Sequence, residues 1–140
     1  MISIYDCHPA PVSLAAGLGA VLWLLLGCSV DTRASAPANG ALALNWTINE
    51  TTDVDQCNEA SAASLSLEVY DGSGAYGTYS ATCDAFAVTV SLPPGPYTAQ
   101  AWFVDDSGIA RTTTIDINPF EITEGTSLAI PIDFPASSFH

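Results

Sequence analysis

Ala41-Leu42-Ala43-Leu44-Asn45-Trp46-Thr47-Ile48 places a large apolar side chain at every second position, Leu42, Leu44, Trp46 and Ile48, with Ala43, Asn45 and Thr47 between them. Successive side chains of a strand point to opposite faces, so this stretch reads as a β-strand with one buried face. The same period recurs at Leu65, Leu67 and Val69, at Phe86, Val88, Val90 and Leu92, and at Leu128, Ile130, Ile132 and Phe134. Residues 97–104 and 109–117 are strand-like but less regular, the second favoured by the β-branched run Thr112-Thr113-Thr114. A shorter strand is expected over residues 76–82.

Between these runs lie Asp71-Gly72-Ser73-Gly74, Pro93-Pro94-Gly95-Pro96, Asp105-Asp106-Ser107-Gly108 and Glu124-Gly125, all of turn composition. No run of ten or more residues after Gly40 keeps a helical period. Short strands joined by hairpin-type turns predict an all-β fold, a single antiparallel β-sandwich of about seven strands over residues 41–140. Pro131 faces outward in the last strand and fits a sheet edge, because proline cannot donate to a ladder.

Upstream the composition changes twice. Residues 29–40, SVDTRASAPANG, are small and polar and read with Cys28 as a flexible linker; extended, these twelve residues reach up to about 40 Å. Residues 12–27 are apolar apart from Ser13 and end in VLWLLLG, directly before Cys28. As a helix they would reach about 24 Å, short of a hydrocarbon core of about 30 Å. A discarded signal, an attachment point and a membrane span all fit such a segment, the span least well. Residues 1–11 carry no Lys or Arg, unlike the usual start of a secretory signal.

Fifteen acidic residues stand against Arg33 and Arg111 for a net charge of −13, and the chain contains no lysine. Nucleic acid as a partner is excluded, since binding it needs cations that displace counterions. An anionic membrane surface would repel the chain as well.

Of the four cysteines, Cys7 precedes the apolar run and Cys28 ends it, leaving Cys57 and Cys83 in the folded domain. An exported chain matures in an oxidising compartment, where these two can pair in only one way. The Cys57–Cys83 disulfide would close a loop of roughly 27 residues, a constraint of about 3 to 4 kcal/mol on the unfolded chain. It would pin the polar stretch 49–64 to the strand approaching Phe86.

Catalysis is not expected. The domain's one histidine is His140 at the C-terminus, so its many Ser and Thr residues have no internal base. Asp105 and Asp106 are adjacent and lie in a turn composition rather than forming a facing acid/base pair. Calcium is the better chemical candidate: Asp53 and Asp55 lie in the long loop and Asp105 and Asp106 at a turn, though the spacing matches no EF-hand. Solvated turn residues are the competing reading, and no cofactor is expected. Trp46 and Trp102 read as core or sheet-surface aromatics; exposure of both on one face would favour carbohydrate binding.

Two resemblances add to this reading. Leu92-Pro93-Pro94-Gly95-Pro96-Tyr97 resembles the leucine, glycine and tyrosine turn of prealbumin-like and carboxypeptidase-regulatory-like sandwiches, and the fold class expected is an immunoglobulin-like or prealbumin-like sandwich. The resemblance implies that Tyr97 tucks into the core as its strand begins.

Leu25-Leu26-Gly27-Cys28, at the end of the 16-residue apolar run, resembles the lipobox of bacterial lipoprotein precursors. That resemblance implies a signal peptide over residues 1–27, cleavage between Gly27 and Cys28, and diacylglyceryl and further acyl groups such as palmitate on Cys28. Two or three chains anchor far more durably than one. Ser29 in place of Asp after the cysteine implies outer-membrane sorting, with the domain in the bacterial envelope on its periplasmic or outer side. A bacterial leader also discounts the glycosylation sequons at Asn45 and Asn49. The expected function is that of a lipid-anchored envelope lipoprotein with a structural or binding role, its protein or glycan partner unspecified. The alternative is a calcium-dependent adhesion or carbohydrate-binding module.

Overall fold

The structure, a computed structural model, describes residues 37–140. Seven strands form two sheets: β1 (Gly40–Ile48), β2 (Ser64–Asp71), β3 (Gly74–Thr82), β4 (Ala87–Leu92), β5 (Gly95–Val104), β6 (Ile115–Ile122) and β7 (Ser127–Phe134). One sheet has the order β4-β1-β7 and the other β3-β2-β5-β6. The fold is therefore the expected all-β sandwich. The signal peptide, lipobox and Cys28, and most of the linker, lie outside the described residues.

The alternation in β1 is the key to the packing. Leu42, Leu44, Trp46 and Ile48 are all buried, while Asn45 is exposed and Ala43 and Thr47 half-buried. From the opposite sheet Leu65, Leu67 and Val69 of β2 and Ala99, Ala101 and Phe103 of β5 complete the core. Trp46 meets Phe103 edge-on with ring centres 6.3 Å apart, and Phe103 lies 4.6 Å from Phe134. The Trp46 indole Nε1 donates to the Cys83 carbonyl at 3.1 Å, so the ring is buried with its polar group satisfied.

The linker boundary is tighter than the composition suggests. Ala38 N donates to the Glu124 carboxylate, and the Asn39 carbonyl accepts from Gly125 N. Gly40 then passes so close to the Thr123 carbonyl and to Ile122 that a Cβ there would sit 2.7 Å from Ile122 Cγ2. Only glycine fits this start of β1.

Four features depart from the sequence reading. Four of the five strand pairings are antiparallel, but β1 and β7 run parallel over Ala41–Ile48, with Asn45 opposite Pro131. They are the first and last strands, so the intervening chain supplies far more than the crossover a parallel pair requires. The strand expected at 109–117 begins only at Ile115 and runs to Ile122. Before it, Asp105 holds the chain in a turn, and the buried Thr112 hydroxyl accepts from Phe103 N at 2.9 Å in place of a ladder carbonyl. Phe86 is not a strand residue; it follows a 3-10 turn, Cys83–Ala85, in the left-handed region (φ 50°) and packs on Trp46 at 6.5 Å. Finally, the loop 49–63 contains a short helix, α1 (Val54–Glu59), too brief to carry a helical period.

Candidate functional site

Asp53 caps α1, its Oδ1 accepting from Asp55 N at 3.0 Å, which satisfies one of the helix's free amides. One turn on, Cys57 is buried and bonded to Cys83, with Cα atoms 5.9 Å apart. The disulfide ties α1 to the 3-10 turn that carries the chain from β3 to β4, as the cysteine arithmetic predicted. Because Cys83 also receives the Trp46 indole bond, helix, turn and central core strand meet at one residue.

Around this junction lies an open hollow of roughly 850 Å³. Its lining includes both cysteines of the disulfide, Val54 and Asn58 of α1, and the carboxylates Asp84, Asp105 and Asp106. Val54 is about half exposed, at 49%. The hollow is acidic and lacks any basic or histidine side chain in its lining.

The calcium candidates are divided rather than gathered. Asp105 and Asp106 line the hollow; Asp53 and Asp55 do not. Asp105 Oδ1 accepts from Ser107 N at 2.9 Å and Ile109 N at 3.0 Å, so that carboxylate stabilises its own turn. Among the described residues no group of three or more His, Cys, Asp or Glu side chains converges closely enough to hold a metal ion.

The aromatic residues are similarly separated. Trp46 is 1% exposed and belongs to the core, whereas Trp102 sits half-buried on the outer face of β5, opposite Ser66. Among the described residues, then, Trp46 and Trp102 share no exposed face. A different aromatic group gathers at the other end of the sandwich, where Tyr97 meets Tyr76 edge-on at 5.7 Å and stacks on Phe120 at 6.0 Å. Tyr97 is buried, as the resemblance of its turn implied, and its hydroxyl donates to the Pro93 carbonyl at 3.0 Å. Burial holds the Tyr97 and Tyr79 hydroxyls above the ordinary tyrosine range. Nearby, the Ser73 hydroxyl and amide donate to Asp71 and hold its carboxyl below the ordinary range while fixing the β2–β3 turn.

The sequence did not reveal the hollow, because its walls come from α1, the 3-10 turn and the Asp105 turn, three segments separated along the chain. The one signal pointing to it was the pair of cysteines. Of the sequons, Asn45 is exposed on β1, and Asn49 donates through its side-chain amide to Gln56 at 2.9 Å.

No family model matches the chain, and no curated protein does either. Among solved structures it is similar to the minor pilin GBS52 of Streptococcus agalactiae, at 14% identity over 71% of this chain and 45% of that one, with a TM-score of 0.47. It is also similar to a leucine-rich repeat protein from Bacteroides thetaiotaomicron, at 14% identity over 72% of this chain and 14% of that one, TM-score 0.40. A candidate polysaccharide-binding protein of the same organism shows 14% identity over 66% and 46% of the two chains, TM-score 0.39. This chain spans less than half the length of each.

Proposed function

We propose that the chain is the precursor of a bacterial envelope lipoprotein, anchored through Cys28, whose acidic β-sandwich serves a structural or binding role without catalysis. The observation that carries this reading is the Cys57–Cys83 bond inside the folded domain, since structural disulfides belong to oxidising compartments outside the cytoplasm. An exported domain needs a leader, and the apolar run ending in Leu25-Leu26-Gly27-Cys28 has the composition of one that leaves a cysteine at the new terminus. Acyl chains on that cysteine would hold an acidic domain at a membrane its own charge would otherwise avoid. The short polar segment after Cys28 then serves as the tether.

Mass spectrometry of protein extracted from membranes should find a mature N-terminus at Cys28 bearing acyl groups. Cys28→Ser should leave the leader uncleaved. An intact leader on the wild-type protein, or a mature soluble form lacking lipid, would overturn the proposal.

A further inference from the structure

The two sheets present four outer strands among the described residues, and these differ sharply in character. On one side, β6 carries Asp116, Pro119 and Glu121, and β7 carries Pro131 and Asp133. Charge and proline on an edge strand discourage further pairing, because a proline offers no N–H and a charge resists burial in a ladder. On the other side, β3 (GAYGTYSAT) and β4 (AVTVSL) contain neither a proline nor a charged residue. In a domain this acidic, an uncharged pair of edges is a specific arrangement.

Of the two, β3 is longer, with nine residues against six, and all of its residues are exposed or half-buried. Its bonding pattern can be read from the register. Cys83 N donates to Ala63 O, which continues the β2–β3 ladder in which Ala81 faces Leu65 and Tyr79 faces Leu67. In an antiparallel pair the hydrogen-bonded positions alternate, so Ala81 and Tyr79 turn their N–H and C=O groups toward β2. Thr78, Ser80 and Thr82 turn theirs outward, and among the described residues no strand pairs with β3 on that side.

From this arrangement we infer that β3 is an interaction edge at which two copies of the chain pair antiparallel across a two-fold axis at Ser80. The four-stranded sheets then join into one continuous sheet. In that register Ser80 faces its own copy and Thr78 faces Thr82 of the second molecule, so each outward N–H and C=O of the three residues finds a partner. Their side chains form Thr–Thr and Ser–Ser cross-strand pairs, a favourable combination on an exposed face. Charge selects the occupant. Two domains of this acidity approach most readily where neither presents a carboxylate, and β3 is the longer of the two uncharged edges among the described residues. The nearest acid beyond the strand, Asp84, falls opposite Tyr76 of the second copy rather than opposite another acid.

Sedimentation equilibrium of the full chain in density-matched detergent, together with amide hydrogen exchange, tests this edge. The protein mass should double as concentration rises from micromolar toward millimolar, with slowed exchange at Thr78, Ser80 and Thr82. Ser80→Pro removes an outward N–H and fixes φ at that position, whereas Ser80→Lys adds an edge charge without altering the backbone; both should remain at one protein mass. Asn118→Lys on the already charged β6 edge should still double. A single mass at all concentrations overturns the inference. So does association that the Ser80 variants leave intact, which would place the contact elsewhere. Protection of the three amides that appears only when a different envelope protein is added also overturns it, by making that protein the occupant.

Discussion

At the scale of single residues, the chain places polar groups at points where one side chain settles a local geometry. Tyr97 is the clearest case: its ring fills the end of the core, and its hydroxyl returns to the Pro93 carbonyl across the turn that begins β5. Tyr97→Phe keeps the ring and removes that bond, so chemical denaturation at neutral pH should show a loss of about 1 kcal/mol. The pH dependence follows from the same contact. Burial favours the neutral hydroxyl, raising its pKa in the folded state above the unfolded value near 10. The stability it contributes is therefore complete below about pH 10 and is lost as the pH climbs through the folded pKa. Alkaline titration of stability should fall less steeply in Tyr97→Phe than in the wild type; identical slopes would assign the alkaline loss to other groups.

At the scale of elements, the disulfide and the strands carry different kinds of information. Replacing Cys57 and Cys83 together by serine frees a loop with a sequence separation of 26, which should lower stability by about 3 to 4 kcal/mol in a urea melt. An unchanged midpoint would show that the Trp46 bond and the core hold the junction without the covalent link. The pairing was legible because only two cysteines remained once the leader region was set aside. β1, β2, β4 and β7 were legible because one face is buried and the other wet, which writes a period of two into the residues, while β5 was legible only as a less regular strand-like run. The period failed at residues 109–114, where Thr112 takes part in the ladder through its hydroxyl. It also failed at Phe86, which points inward from a left-handed turn rather than from a strand. α1 left no trace because six residues complete fewer than two turns, and its start is marked only by Asp53, a residue equally at home in a loop. Of the hollow only the cysteine pair was legible, since proximity of the distant turns that complete it is a property of the packed sheets.

At the scale of the whole molecule, thirteen of the chain's acidic residues fall between residues 37 and 140, with Arg111 the single Lys or Arg there. The carboxylates are spread over turns and strand faces, so their mutual repulsion opposes the compact state in a way that ionic strength relieves. Thermal unfolding should therefore shift upward with added sodium chloride, and millimolar calcium and magnesium should act alike. A rise specific to calcium would instead identify a site built by the carboxylates of the hollow. The parallel β1–β7 pair has a further consequence, for the order in which the molecule can be made. β1 lies in the middle of its sheet, yet one neighbour, β7, is the last of the seven described strands to emerge during synthesis. During elongation β1 can pair with β4 on one side only, its other flank open until some eighty more residues have emerged. Such distant closure makes assembly slow and leaves a sticky intermediate in the meantime. A nascent domain of this design stays vulnerable until β7 arrives, and whatever shields it must do so from the emergence of β1 until then.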